Sequence, residues 1–418
     1  MIEMSENLEH LDFIPEPNDP RILSAADPLL RGHQEGFRSV VSGWDPAAPP
    51  QSPLTQKRVF TGPLPVGLLF IIAIGLSSWW GLGAFLGVDN LQYPDSEWAF
   101  EQSGIRTLQQ GKGLDGGGIH VCIVDTGVDL NHDDLDHLNI GFKDFVSASD
   151  TPIDHGLDNH GTMMVGILVA DGHLQGVAPA VFLSVAAALG EHEGGETVGE
   201  TSLVAKAVEW CWKDMGADII SLSLGGMQDE NATSGKEVED AVSEALSKGV
   251  FIVAAAGNDG GFADDGLVSS PANIPLVISV GASVEGGDIW ESSSKDTSTT
   301  SPDGSPREDP NLKPELIAPG HNIISTAPGT QYFRSSGTSG ATVFVSGSLA
   351  LLLQEFPEMS RNGGSTTNTC IVAMKQALKD SIEPEVAGKQ HDDYFGYGHL
   401  NAEAWYITLA AQQSLNPC

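Results

Sequence analysis

From Ile119 onward, short apolar runs alternate with longer stretches whose apolar positions recur every three or four residues. Ile119–Val124 is apolar except for His120, and similar runs lie at Val181–Ala187, Asp218–Leu224, Val250–Ala255 and Leu276–Val280. Runs this short, with little polar alternation, predict strands buried on both faces. Between them, Met163–Ala170, Leu203–Met215 and Val238–Lys248 predict helices. A further helix is expected to start at or near Ser339 and to stop before Pro357, since a proline cannot continue it. The alternation predicts an α/β fold, a doubly wound and mostly parallel sheet with helices on both faces, hence three layers. Ligands of such sheets gather at the carboxyl ends of the strands.

The N-terminal part has a different pattern. Residues 1–62 are polar and punctuated by prolines, which predicts a disordered tail. Residues 63–88 then predict one transmembrane helix, because the 23 residues from Val66 to Val88 carry no charge and suffice to cross a bilayer. Lys57 and Arg58 precede this stretch, while Asp89, Asp95 and Glu97 follow it. The positive-inside rule therefore predicts a single-pass signal anchor, with a cytoplasmic tail and an extracytoplasmic domain. Residues 89–97 read as a linker, 98–410 as the folded domain and 411–418 as a short tail.

Acidic residues outnumber basic ones 56 to 20, for a net charge of −36. That balance argues against nucleic acid or anionic lipid headgroups as partners, since both call for a basic surface. Cys122, Cys211, Cys370 and Cys418 are widely spaced and match no metal-binding pattern, so small buried hydrophobes are expected rather than a disulfide framework. The sequence specifies no oligomeric state.

Chemistry-bearing residues stand where strands meet loops or helix starts. Asp125 ends the first strand, His160 heads a helix, Asn258 follows the strand at Val250–Ala255, and Ser339 opens the late helix. A serine hydroxyl is a poor nucleophile. It needs a base within hydrogen-bond reach, the base needs an orienting carboxylate, and the tetrahedral oxyanion needs preorganised donors. Singly, each residue reads equally well as a cap or turn former. Together, in the order Asp, His, Asn, Ser, they form a set that requires no cofactor.

The surrounding motifs resemble those of the subtilisin-like serine proteases over roughly Trp98 to Ile407. They include Val124-Asp125-Thr126-Gly127, His160-Gly161-Thr162, Ser221-Leu222-Ser223-Leu224-Gly225-Gly226, Ala255-Ala256-Gly257-Asn258 and Ser336-Gly337-Thr338-Ser339. The resemblance implies that Asp125 orients His160, that His160 is general base and then acid, and that Ser339 is the nucleophile. It assigns the oxyanion to the Asn258 side chain and the Ser339 backbone N–H. It also implies protein or peptide substrates, bound along Ser223, Leu224, Gly225 and Gly226, with Ala256, Gly257 and Ser269 around the pocket for the residue before the cut (P1).

The sequence departs from the family at two places: Gly340 and Val343 stand where a methionine and a proline are usual, and Met163 where a second histidine is common. Those changes leave open a catalytically impaired binding protein on the same scaffold. Cleavage near Gly87 would instead release a soluble enzyme. The family's calcium loop after the histidine is expected to be missing, with weak calcium binding left to acidic loops near Asp264 and Asp265. No large inhibitory prodomain is expected. Asp259 at the pocket rim, with Glu191, Glu193, Glu196 and Glu200, predicts a preference for basic residues at P1 or P4.

Overall fold

A computed structural model describes residues 22–25, 45–46, 96–156, 158–191, 197–225, 235–261, 264–413 and 418. Seven strands make one parallel sheet: β3 (His120–Asp125), β4 (Gly141–Asp144), β5 (Phe182–Ala187), β8 (Ile219–Leu222), β10 (Phe251–Ala255), β11 (Ile278–Ser283) and β12 (Leu316–Pro319). Their order is β12-β11-β10-β8-β3-β5-β4, so the chain starts near the middle and winds outward both ways. β8, β10 and β11 are buried along their whole length.

Helices α3 (His160–Val169) and α6 (Thr338–Glu355) pack on each other and against the sheet. Helices α4 (Thr201–Lys213) and α5 (Lys236–Ser247) form a second packed pair on it. Smaller helices complete the domain: α1 (Glu97–Gln102), α2 (Ile105–Lys112), α7 (Thr369–Ser381) and α8 (Ala402–Gln413). The α/β class and the mostly parallel sheet are those expected from the pattern. Helix α3 starts three residues earlier than the apolar periodicity indicates, because its first turn is polar at His160 and Thr162.

The register fixes where the strands end. Val124, Leu222 and Ala254 stand in one row across β3, β8 and β10. Asp125, Ser223 and Ala255 are the next residues of each segment, so the chemistry-bearing loops all leave the sheet at its carboxyl edge.

Two expectations are corrected. The cysteines are paired: Cys122 on β3 bonds Cys211 on α4, and Cys370 on α7 bonds Cys418. A buried cysteine and a buried half-cystine look alike in sequence, and partners 89 and 48 residues apart meet only once helix and strand have packed. The second bridge pins the expected C-terminal tail, and α8 already runs to Gln413.

The stretch read as a disordered tail contributes two strands, β1 (Ile22–Ala25) and β2 (Asp45–Pro46). β1 lies antiparallel between β7 (Thr197–Glu200) and β9 (Leu224–Gly225), in a small sheet completed by β6 (Gly190–Glu191). β2 pairs with β14 (Gln331–Ser335), the second strand of a hairpin begun by β13 (Ile323–Ala327). The expected span, residues 63–88, is outside the described residues. Among the described residues, no helix is long and apolar enough to cross a membrane.

Candidate active site

Asp125 ends β3 and is fully buried, while His160 opens α3 and is nearly so. The two meet at 2.7 Å, Nδ1 to Oδ1. The same Oδ1 accepts the Thr126 backbone N–H at 2.7 Å, and Oδ2 has no hydrogen-bond partner. A carboxylate only accepts, so Nδ1 carries the proton of this contact and Nε2 is the ring nitrogen turned to base chemistry.

Close backbone approach makes this meeting feasible. Gly127 has a φ of +120°, and a Cβ there would sit 1.9 Å from the Ile153 carbonyl oxygen. A Cβ on Gly161 would fall 2.1 Å from the Gly127 oxygen. A larger residue at Gly161 would push α3 from the end of β3, and one at Gly127 would push off the loop at Ile153.

Ser339 lies in the first turn of α6, almost fully buried, among the N–H groups that an α-helix leaves unpaired. Its hydroxyl is 3.4 Å from the Ser223 carbonyl oxygen, and the Ser223 hydroxyl donates to the Ser339 carbonyl at 3.2 Å. Gly347 holds α6 close to the chain after α3, since a Cβ there would meet Val177 at 2.5 Å and Leu168 at 3.2 Å.

Asn258 follows β10. Its Oδ1 accepts both the backbone N–H of Thr338 at 2.9 Å and the Thr338 hydroxyl at 2.8 Å. Two donors on one oxygen fix the orientation of the amide. Its Nδ2 is buried without a hydrogen-bond partner, on an amide anchored to Thr338, the residue before Ser339. A buried donor without an acceptor is costly. An oxyanion forming beside Ser339 would satisfy it.

The pocket residues converge as well. A Cβ on Gly225 would lie 2.5 Å from the Ser269 Cβ, and one on Gly257 would lie 2.6 Å from the Ser269 hydroxyl oxygen. The Ser269 N–H bonds the Ala256 carbonyl at 2.7 Å. Leu224 is buried within β9, and Gly226 is outside the described residues. Ser294 had no signal in the sequence. It donates its hydroxyl to Asp259 and its N–H to the Gly257 carbonyl, so it ties the Asp259 carboxylate to Gly257.

Carboxylate oxygens of Asp259, Asp264 and Asp265 lie within 4.8 Å of one another. Lys295 approaches Asp264 to 3.4 Å and already answers part of that charge.

Comparison with known proteins agrees with this geometry. The family model described as "Subtilase family" matches residues 116–398. The major intracellular serine protease of Bacillus subtilis (strain 168) is 32% identical over 310 residues, covering 73% of this chain and 88% of that protein. Subtilisin DY of Bacillus licheniformis is 32% identical over 302 residues, covering 71% and 93% respectively. Subtilisin E of Bacillus subtilis (strain 168) is 30% identical over 296 residues, covering 70% and 67%. With motifs in order, strand ends aligned and most of the domain matched, this chain belongs to the subtilase family and is a serine-type endopeptidase.

Proposed function

We propose that Asp125, His160 and Ser339 form the catalytic triad. His160 Nε2 takes the Ser339 proton as Oγ attacks the scissile carbonyl, and then delivers it to the leaving amine. Asp125 holds the ring in the tautomer that leaves Nε2 basic. The Asn258 Nδ2 and the Ser339 backbone N–H hold the oxyanion, and water then hydrolyses the acyl-enzyme. The observation that carries this reading is the Asn258 amide, whose oxygen is committed to Thr338 while its nitrogen is unspent beside the serine. A fluorophosphonate probe should label wild-type protein and not Ser339→Ala. Folded wild type that stays unlabelled would favour the impaired-scaffold alternative.

The substrate backbone is proposed to add as a strand between β7 and β9, a largely sequence-blind mode of recognition. β1 supports this, because those edges already accept an antiparallel strand. The space left by Gly225 and Gly257 suits a large P1 side chain. Asp259 at the rim, with exposed Glu191 and Glu200, favours basic residues at P1 or P4 by about 1 kcal/mol or less each, declining with salt. Glu193 and Glu196 lie outside the described residues. The chemistry calls for no cofactor. Asp259, Asp264 and Asp265 form no more than a weak calcium site, since calcium takes six or more oxygens and Lys295 stands close by.

The uncharged length of residues 63–88 still supports a membrane anchor, and the two disulfides support an oxidising, extracytoplasmic setting for the domain. We propose that residues 63–88, long enough to cross once but not to return, enter the membrane without crossing it, which keeps the tail on the domain's side as the pairing of β1 with β7 and β9 suggests. Protease added to intact cells should then digest a tag at Met1 together with the domain. Survival of the tag alone would restore the single-pass arrangement.

A further inference from the structure

Asp154 lies in the loop between β4 and α3, outside every motif that marks the family. The loop pairs with the chain just beyond Asp125: the His155 N–H bonds the Thr126 carbonyl at 2.8 Å, and the Val128 N–H bonds the Ile153 carbonyl at 3.2 Å. Four neutral donors converge on the Asp154 carboxylate. Oδ1 accepts the Thr126 hydroxyl at 2.6 Å and the Gly156 N–H at 3.0 Å. Oδ2 accepts the Thr162 N–H at 2.8 Å and the Thr162 hydroxyl at 2.6 Å.

Both hydroxyls are committed in direction. The Thr126 oxygen accepts the Gly161 N–H at 2.8 Å, and the Thr162 oxygen accepts the Asp129 N–H at 2.9 Å. A hydroxyl has one proton to give. The 2.6 Å contact to Asp154 takes the Thr126 proton, so its 3.3 Å approach to Asp125 adds little.

The consequence is mechanical. Thr126 follows Asp125 directly, and Thr162 is two residues beyond His160 in the first turn of α3. Asn159 at the head of that helix makes no side-chain cap, so Asp154 caps it from outside while gripping the end of β3. Asn in its place could accept with one oxygen only, and its amide hydrogens would face donors. Burial raises the Asp154 carboxyl above the usual carboxylate range, against the pull of its four hydrogen bonds.

We infer that Asp154 is a positioning residue: it clamps the Asp125 and His160 segments together and so sets their hydrogen bond, without touching substrate. This deepens the triad reading and rests on it. The test is turnover of a chromogenic peptide, normalised to active sites titrated with a fluorophosphonate. Misplacing a catalytic group by about 1 Å can cost on the order of a hundredfold. Asp154→Asn should therefore lower kcat per titrated site roughly 10- to 100-fold, with KM nearly constant. Thr126→Val should do the same, Thr126→Ser should remain close to wild type, and the double variant Asp154→Asn, Thr126→Val should be little worse than either single one.

A purely structural role would lower Tm and the titratable fraction while leaving kcat per site unchanged; that result overturns the inference. If Asp154→Asn fails to fold, the Thr126 pair decides, and equal turnover of the Ser and Val variants overturns it. Inert wild-type protein would end the triad reading and this one with it, whereas active wild type beside unimpaired variants ends only this one.

Discussion

The two ends of the main sheet treat buried charge in opposite ways. At the carboxyl end, Asp125 keeps one oxygen and Asn258 its amide nitrogen without partners. At the amino end, just before β11 and β12, the buried charges of Lys313, Glu315 and Lys375 answer one another, although the neutral Ser279 hydroxyl there has no partner. Glu315 accepts Lys313 at 2.9 Å, Lys375 at 2.6 Å and the Ser279 N–H at 2.7 Å. Lys375 also donates to the Val277 carbonyl at 3.0 Å and to Asn311 at 2.7 Å, so its three protons meet three acceptors. Unspent hydrogen-bonding capacity is a cost that a fold tolerates where a ligand will use it. The two ends therefore answer to different measurements, one to rate and the other to stability.

Replacing Ser339 by alanine is the most drastic way to test that division. Activity should fall by about 10⁶-fold, the magnitude known for subtilisin and not one computed for this chain, while Tm stays nearly constant. A residual rate within tenfold of wild type would contradict the assignment. At the other end, Glu315→Gln removes the counter-charge shared by two buried lysines. It should cost about 3–5 kcal/mol in a denaturant titration on a Ser339→Ala background, with kcat per titrated site unchanged in active protein. Asn258→Ala should show the reverse. Turnover should drop by about two to three orders of magnitude, again the range known from subtilisin, with KM little altered. A change in KM alone would mean that Asn258 binds substrate and not the oxyanion.

A subtler effect should appear with pH. Burial, reinforced by the nearby Lys375 charge, pushes Lys313 from 10.5 down to about 7, with Glu315 opposing. Burial lowers Lys375 as well. Between about pH 7 and 10.5 the unfolded chain thus holds protons that the folded one has released, so stability rises with pH across that window. Calorimetry of the Ser339→Ala protein should show the rise, and Lys313→Met should flatten it. A flat profile for the parent would refute the linkage. Smallest of all, Gly340→Ala should stabilise by about 0.5–1 kcal/mol. It lies within α6, and a Cβ there would meet only Ile167, at 3.5 Å. A loss of stability would show that the space beside the nucleophile is tighter than it looks.

Much of this was legible because strand and helix periods are local. β3, β5, β8, β10 and α6 follow from apolar runs, and Asp125, His160, Asn258 and Ser339 from motifs at their ends. What sequence could not show depends on tertiary meeting. β12 is cut short by Pro319, and β14 mixes Gln331, Arg334 and Ser335 with its two aromatics, so neither reads as an apolar run. The Cys122–Cys211 bond needs α4 seated on β3. Asp154 lacks a motif because its role comes from four donors supplied by three separate segments. β1 is a strand only because two edges receive it, and polar, proline-rich surroundings hide that.

Under the proposed reading, β1 also lies where a substrate strand would pair. A competitor carried on the same chain has no bulk concentration: its strength is set by the reach of the intervening chain. Specific activity that does not change on deleting residues 1–44 would show that it does not compete. Otherwise dilution would leave this competition untouched, while a single cut between the strand and the domain would let it drift away for good. The activity of a given sample would then record how often its molecules had been cut, and an old preparation would outpace a fresh one of identical composition.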